Sequence, residues 1–371
     1  MTRKHVEALS HLVMVVAQKG PRNIPDIASE LQIPIETARH RLKKQVLDRG
    51  ITIHTGIDFG KLGLKRSWTF LDFNDQYRGR EAKVAKALSD VAYLTYFTRT
   101  MPEERFLAQF AVPNSKLAEH KKFLEVMTSS GILNSYEVNN LLWTRQFSMN
   151  PEYYNFKKRV WEIDWNALDN LRQAPIIPKI SDAVELDKKD LLILKELQLD
   201  SSVQFADIAD KLGIDVKTLL YHYHTHIEAR NFVTEYLIRW RGDPKNVRRY
   251  AVLPAKVFIR NVSQQEMLRV QDVFARLPFL WSDSYGDNGF YLADLVIPLT
   301  HYADVLSFLQ RNLGALKRRV EVAIVDQQCT SAFSLPCQMY DENLGWTFEQ
   351  NMALERFRVL ASEALKNKAG L

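Results

Sequence analysis

Ile24-Pro25-Asp26-Ile27-Ala28-Ser29-Glu30-Leu31-Gln32-Ile33 returns as Phe205-Ala206-Asp207-Ile208-Ala209-Asp210-Lys211-Leu212-Gly213-Ile214, at a constant offset of 181 residues. The match continues without a gap to Arg49-Gly50-Ile51 and Arg230-Asn231-Phe232. Two further landmarks follow each copy in the same order. Phe106-Leu107-Ala108-Gln109-Phe110-Ala111-Val112-Pro113 is echoed by Tyr291-Leu292-Ala293-Asp294-Leu295-Val296-Ile297-Pro298. Phe147-Ser148-Met149 and Trp161 are echoed by Phe333-Ser334-Leu335 and Trp346. The spacing predicts a unit of roughly 180 residues folded twice in tandem, with the two copies packed as an intramolecular pseudo-dimer. A homodimer of such chains is left open.

Each copy opens with three helical patterns. In the first, Val6, Leu9, Leu12, Val13 and Val16 share one face up to Lys19, and Gly20-Pro21 ends the pattern. Ile24, Ile27, Ala28 and Leu31 mark a short second helix. Gln32-Ile33-Pro34 is the turn, and Ile35, Ala38, Leu42 and Val46 stripe a third helix ending at Gly50. Ile51-Thr52-Ile53 then alternates as a strand. Three helices, a tight turn and a β-wing make a winged helix-turn-helix. Ala28 and Ala209 suit a crowded crossing of the second and third helices.

The rest of each copy alternates strands and helices: 67–73, 81–88, 94–98, 106–112, 117–126 and from 136, then 257–260, 266–277, 280–284, 290–297, 302–312 and 319–325. This is the split βαββαβ, ferredoxin-like order. A sheet covered by helices on one side leaves its other face for a partner sheet, so the two sheets are expected to face each other within the chain. The fold class is therefore α+β: two tandem units, each a winged helix-turn-helix followed by a ferredoxin-like domain. The divisions are 1–64 and 65–150 for the first unit and 186–245 and 246–330 for the second. Between them, 151–185 is an aromatic strap, with Tyr153, Tyr154, Phe156, Trp161 and Trp165 laid over a sheet. Pro175 and Pro178 mark its end. Residues 331–371 form a second strap and an amphipathic C-terminal helix packed on the protein itself.

A hydrophobic content of 46% suits sizeable cores. No apolar run approaches the ~20 residues of a membrane span, and the N-terminus lacks a signal-peptide core. The expected place is the cytoplasm, in association with the nucleoid. The charge is unevenly placed. Residues 1–66 hold twelve Lys/Arg against six acids, a net +6, whereas residues 186–242 hold eight against nine, a net −1. On the third helix of the first unit, Thr37, Arg39, His40, Arg41, Lys43 and Lys44 form the outer face. Such a helix fits the major groove, with Lys and Arg on phosphates and Arg able to read guanine. Its counterpart offers Lys217, Thr218, Tyr221 and His222. These ten residues are the candidate contacts to double-stranded DNA, the first unit dominating. His222 and His226 stand one turn apart, but no Cys, Asp or Glu accompanies them at ligand spacing, so no metal is expected. No Ser/His/Asp set, nucleotide loop or carboxylate pair occurs. The expectation is a protein without cofactor or catalytic residues, and not an enzyme.

The order of a winged helix and then βαββαβ resembles the Lrp/AsnC (feast/famine) family of transcription regulators. The second unit carries that family's opening pattern in Leu186-Asp187, Asp190, Ile193-Leu194, Leu197 and Asp200, continuing through Ile208-Ala209, Leu212-Gly213-Ile214 and Thr218. The first carries its closing pattern in Gly50-Ile51, Ile53-His54-Thr55-Gly56-Ile57-Asp58 and Leu62-Gly63. The resemblance implies a sequence-specific DNA-binding regulator. It also implies a small-molecule effector, with Tyr285, Gly286, Asp287 and Gly289 as the closest match to the family's effector loop. Glycines there let a ligand approach the backbone. The third helix is one residue longer than the family's in both units. Two alternatives share the architecture: a transcription-machinery or protein-interaction factor, and a tetrapyrrole enzyme similar to the sirohaem decarboxylases. The histidine-bearing middle strands of the latter are not matched at Tyr96-Phe97-Thr98-Arg99 or Trp281-Ser282-Asp283-Ser284.

Overall fold

The computed structural model describes residues 3–77, 79–174, 176, 178, 181–240 and 251–369. Pro175 and the boundary between 245 and 246 lie outside the described residues. Helix α1 (Arg3–Lys19) buries Leu9, Leu12, Val13, Val15 and Val16. In α2 (Ile24–Glu30) the Asn23 side chain caps the amide of Asp26, and Pro25 sits in the first turn where its missing N–H costs nothing. The third helix starts as α3 (Ile35–His40), continues as a π-helical segment over Arg41–Val46 and closes with a tight turn at Gly50, φ +80°. One residue more than a regular helix accommodates is absorbed as a π-bulge, and the second unit does the same.

Strand β1 (Ile51–Ile57) follows. The first α/β domain comprises β2 (Leu64–Phe73), α4 (Glu81–Val91), β3 (Leu94–Met101), β4 (Arg105–Pro113), α5 (Leu117–Ser129) and β5 (Leu133–Gln146). The strap holds a small hairpin, β6 (Tyr154–Asn155) with β7 (Val160–Trp161), and α6 (Trp165–Asn170). The second half repeats the order with α7 (Lys188–Leu199), α8 (Phe205–Leu212), α9 (Val216–Tyr221, running on as a π-helical segment over His222–Glu228) and β8 (Val233–Trp240). Then come β9 (Val252–Ile259), α10 (Gln264–Ala275), β10 (Leu280–Gly286), β11 (Tyr291–Pro298), α11 (Tyr302–Asn312) and β12 (Val320–Ala332). The hairpin β13 (Tyr340–Asp341) and β14 (Gly345–Trp346) and helix α12 (Gln350–Ala369) close the chain. The fold is α+β.

Three long-range strand pairings depart from the sequence expectation. The strand after each helix trio is not a local wing: β1 pairs antiparallel with β8 of the other half, from Ile51 opposite Trp240 to Ile57 opposite Val233. Helix α1 packs on β8 and α7 on β1, so each half supplies the strand that covers the other's first helix. A lone edge strand leaves its backbone groups unpaired, and the exchange satisfies both. The two sheets also do more than face each other. They join at both edges, β5 to β10 and β12 to β3, closing an eight-stranded barrel in the order β10-β11-β9-β12-β3-β4-β2-β5. Trp68, Phe70, Leu107, Leu141, Phe258, Phe290 and Leu292 fill it. Inside, Lys256 meets Asp294 at 2.7 Å with its ammonium 4.6 Å from the Tyr96 ring centre.

The strap aromatics lie against the two-stranded β1–β8 sheet, where Tyr154 and Trp161 pack on Trp240. Trp161 packs edge-on against Trp240 and Phe279, joining the first helix trio to the second α/β domain in one core. Ile35, assigned to the buried stripe, is 45% exposed. Helix α12 buries Ala353, Leu354 and Phe357 beside α4. In that core His120 on α5 sits against Phe110, Phe123 and Phe348, and burial pushes its pKa down from 6.5 to about 4, against a backbone hydrogen bond at Ala92. The unfolded chain therefore takes up the proton first, and stability falls as pH drops from 6.5 toward 4. The expected loss is about 3 kcal/mol across that window. Urea denaturation at both ends of the window checks this: His120→Leu should show a smaller fall than the parent, and an equal fall would disprove it.

Candidate nucleic-acid interface and adjoining pocket

On the first unit's third helix, Arg39, His40, Lys43 and Lys44 are exposed, Thr37 and Arg41 are half-buried, and Ala38, Leu42 and Val46 turn into the core. Arg39 pairs with Glu36, and Lys44 lies 3.0 Å from Asp48. Both are solvent-facing pairs within one helix, worth little in water and readily exchanged for phosphate. The third helix thus gathers four exposed basic side chains, with Glu36 and Asp48 paired to two of them.

The second unit's helix is different. Lys217 and Tyr221 are exposed, and the Thr218 hydroxyl is held by the N-cap Asp215. His222 does not belong to the outer face. It is 7% exposed, and its Nδ1 lies 2.8 Å from Oδ1 of the fully buried Asp190. The sequence pattern missed this because the partner sits 32 residues earlier, on α7. His224, which is exposed, pairs with Glu228 at 2.7 Å. Among the described residues this surface shows Lys217 and the Tyr221 ring where the first unit has Arg39, His40, Lys43 and Lys44.

Tyr285, Gly286, Asp287 and Gly289 form a tight turn between β10 and β11. The Tyr285 hydroxyl donates to the Val262 carbonyl at 2.7 Å, and a side chain at Gly289, φ +76°, would meet the Val262 backbone at 2.9 Å. Gly286 faces the Asn140 carbonyl. The glycines let protein backbone approach, in place of the expected ligand.

A larger opening lies where β1, β2, β5, β8 and the end of the strap converge. It has a volume of about 580 Å³, within the range of small-molecule sites. Phe59, Trp143 and Phe147 give it aromatic walls, and Lys65, Arg66 and Arg145 give it cations. Gly60 fits under the strap because a side chain there would meet the Ser181 carbonyl at 2.8 Å. The guanidinium of Arg66 lies 4.6 Å above the Phe59 ring. Among the described residues it has no hydrogen-bonded acceptor. Burial lowers its pKa to about 10, against the attraction of Asp58, so it stays charged at neutral pH. Arg145 is committed elsewhere, since its fork holds Asp283. Burial also raises the pKa of Glu235 on the rim. Flat apolar walls beside an unpaired guanidinium suit a planar molecule bearing carboxylates. Sequence reading did not assemble these residues because they come from four separated segments.

A family model described as winged helix-turn-helix DNA-binding matches residues 186–223. The chain thus carries a helix-turn-helix of DNA-binding type, and the matched segment is the acidic one. No curated protein matches the sequence. Among solved structures, the chain is similar to the siroheme decarboxylase NirDL, at 12% identity and a TM-score of 0.55 over 96% of this chain and 99% of that one. The same enzyme in co-complex with an iron-uroporphyrin III analogue gives 0.53 at 12% identity, over the same shares of the two chains. An AsnC family transcriptional regulator from Agrobacterium tumefaciens matches at 14% identity and a TM-score of 0.28, over 38% of this chain and 91% of that one. At such identities the likeness to the decarboxylase is one of fold. It nonetheless overturns the expectation that a chain of this layout is not an enzyme, because the fold spanning its whole length also occurs in one. The absence of a linear catalytic motif did not exclude catalysis, since a site can be assembled from residues distant in sequence.

Proposed function

We propose that the chain is a sequence-specific DNA-binding regulator built as an intramolecular pseudo-dimer. In it, the third helix of the first unit makes the dominant contact with double-stranded DNA. One observation carries this reading: Arg39, His40, Lys43 and Lys44 stand exposed together on the helix that a helix-turn-helix lays in the major groove. The pocket beside Arg66 is then the place for a carboxylate-bearing effector. Fluorescence anisotropy of a labelled duplex with the full chain tests the reading, and absence of salt-sensitive binding would end it.

A second reading rests on the pocket itself. Its aromatic walls, its free guanidinium and the full-length likeness to a siroheme decarboxylase favour a chain that binds, and acts on, a tetrapyrrole carboxylate. Lys65 and Arg66 would hold carboxylates, and Phe59 and Trp143 would flank the ring. Titration with an iron-uroporphyrin, followed by its visible absorbance, separates the readings. A saturable one-to-one shift that weakens about ten- to a hundredfold in Arg66→Ala is the expected result for this second reading, the magnitude being that of one charge-assisted hydrogen bond. An unchanged spectrum would remove it.

A further inference from the structure

The buried carboxylate that captures His222 has a second imidazole beside it. His226 Nδ1 lies 3.1 Å from both oxygens of Asp190, and Asp187 Oδ2 lies 3.5 Å from His222 Nδ1. We propose that Asp187, Asp190, His222 and His226 form a binding site for one divalent transition-metal ion, with Zn²⁺ as the fitting occupant.

The donors come from two elements fixed independently of any ion. Asp187 and Asp190 form the capping box of α7, each carboxylate accepting the other residue's amide, so both stand at a defined place at the helix start. His222 and His226 stand one turn apart on the π-helical continuation of α9, with ring centres 5.0 Å apart. One donor atom from each of the four residues lies within 4.8 Å of all the others. Bonds of about 2.0–2.2 Å in a tetrahedral zinc site put ligand atoms about 3.3 Å apart. Three of the six donor–donor spacings, at 2.8, 3.1 and 3.5 Å, lie near that value, and the whole set falls within 4.8 Å, so closing the cage on an ion calls for adjustments of no more than about 1.5 Å.

Charge and donor type point the same way. Two carboxylates and two neutral imidazoles sum to −2, which a divalent ion cancels in a site where Asp190 is excluded from water. A set of two nitrogens and two oxygens suits Zn²⁺ rather than Mg²⁺, which favours all-oxygen octahedra. Asp187 is half-exposed and gives the ion a path from solvent. Tyr221 covers the other side, its ring 5.3 Å from that of His226. Bound metal would tie the third helix of the second unit to its first helix and hold the π-segment in place. This explains why a histidine-rich helix in the acidic unit turns two of its imidazoles inward.

The test uses the full-length chain stripped with a chelator. Isothermal titration with Zn²⁺ should give one ion per chain, and Co²⁺ should give the intense visible bands of a tetrahedral complex. The thermal midpoint should rise by about 2–5 °C at saturating Zn²⁺. Asp187→Asn, which keeps a capping oxygen, and His226→Gln, at a partly exposed position, should each weaken binding at least tenfold while leaving the metal-free midpoint near that of the parent. His224→Gln, on the exposed face, should bind like the parent. The proposal fails if the parent takes up no stoichiometric Zn²⁺, or responds equally to Mg²⁺. It fails too if His224→Gln weakens binding as much as His226→Gln. In those cases the four side chains form a hydrogen-bonded cluster only.

Discussion

Lys43→Ala/Lys44→Ala should weaken binding to a random-sequence duplex about a hundredfold at 0.15 M salt and flatten the dependence on salt. Each phosphate contact contributes about 0.9 to the log–log slope, so loss of both lysines should lower it by about 1.8. Arg41→Ala should add a smaller, more sequence-dependent loss, because a half-buried arginine at this position is better placed for a base edge than for a phosphate. Lys217→Ala should cost less than about threefold, since one isolated lysine on a face with net −1 in its surroundings contributes little to counterion release. Anisotropy titrations at two salt concentrations decide the matter. Equal losses from Lys43/Lys44 and Lys217 would refute an interface dominated by the first unit. An unaltered slope would refute phosphate contact.

The repeat and the periodicities made the local elements readable. The stripe Leu9, Leu12, Val13 and Val16 is buried in α1, and the strands at 94–98 and 106–112 lie inside β3 and β4. Alternation and helical spacing report which face of an element is apolar, not what that face meets. The exchange of β1 and β8 was therefore invisible: Ile51-Thr52-Ile53 reads the same whether its partner is a hairpin neighbour or a strand about 180 residues away. The sites were hidden for the same reason. His222 looked exposed by its spacing from Lys217 and Tyr221. The π-segment rotates the helix after Tyr221, and Asp190 gives the imidazole a buried acceptor. Arg66 on β2 and Trp143 on β5 stand far apart in the sequence, and the antiparallel pairing of those two strands brings them to one pocket.

The largest stability effect is expected from Arg145, a residue with no sequence signature. It reaches from β5 to Asp283 on β10, Nε to Oδ1 at 2.9 Å with Nη2 on Oδ2, and the Tyr291 hydroxyl donates to the same carboxylate at 2.5 Å. Asp283 is fully buried and Arg145 is 8% exposed. Burial pushes the Asp283 pKa up, while the guanidinium and the tyrosine hydroxyl pull it back. Arg145→Met removes the cation and leaves the acid without its charge partner, which should cost about 3–5 kcal/mol in urea denaturation. The other half of the barrel supplies the control. There Phe97 occupies the place of Asp283, opposite Ala108 and Ser331 as Asp283 is opposite Ala293 and Arg145. Phe106 occupies the place of Tyr291, and its ring stacks on Phe97 at 5.6 Å. The same backbone thus holds an ionic cluster on one side and an apolar stack on the other. Arg145→Ser/Asp283→Phe/Tyr291→Phe should accordingly recover most of the stability lost in Arg145→Met, because no buried charge remains to be compensated. If the triple variant is as unstable as the single one, packing around the cluster, and not the unpaired carboxylate, sets the cost.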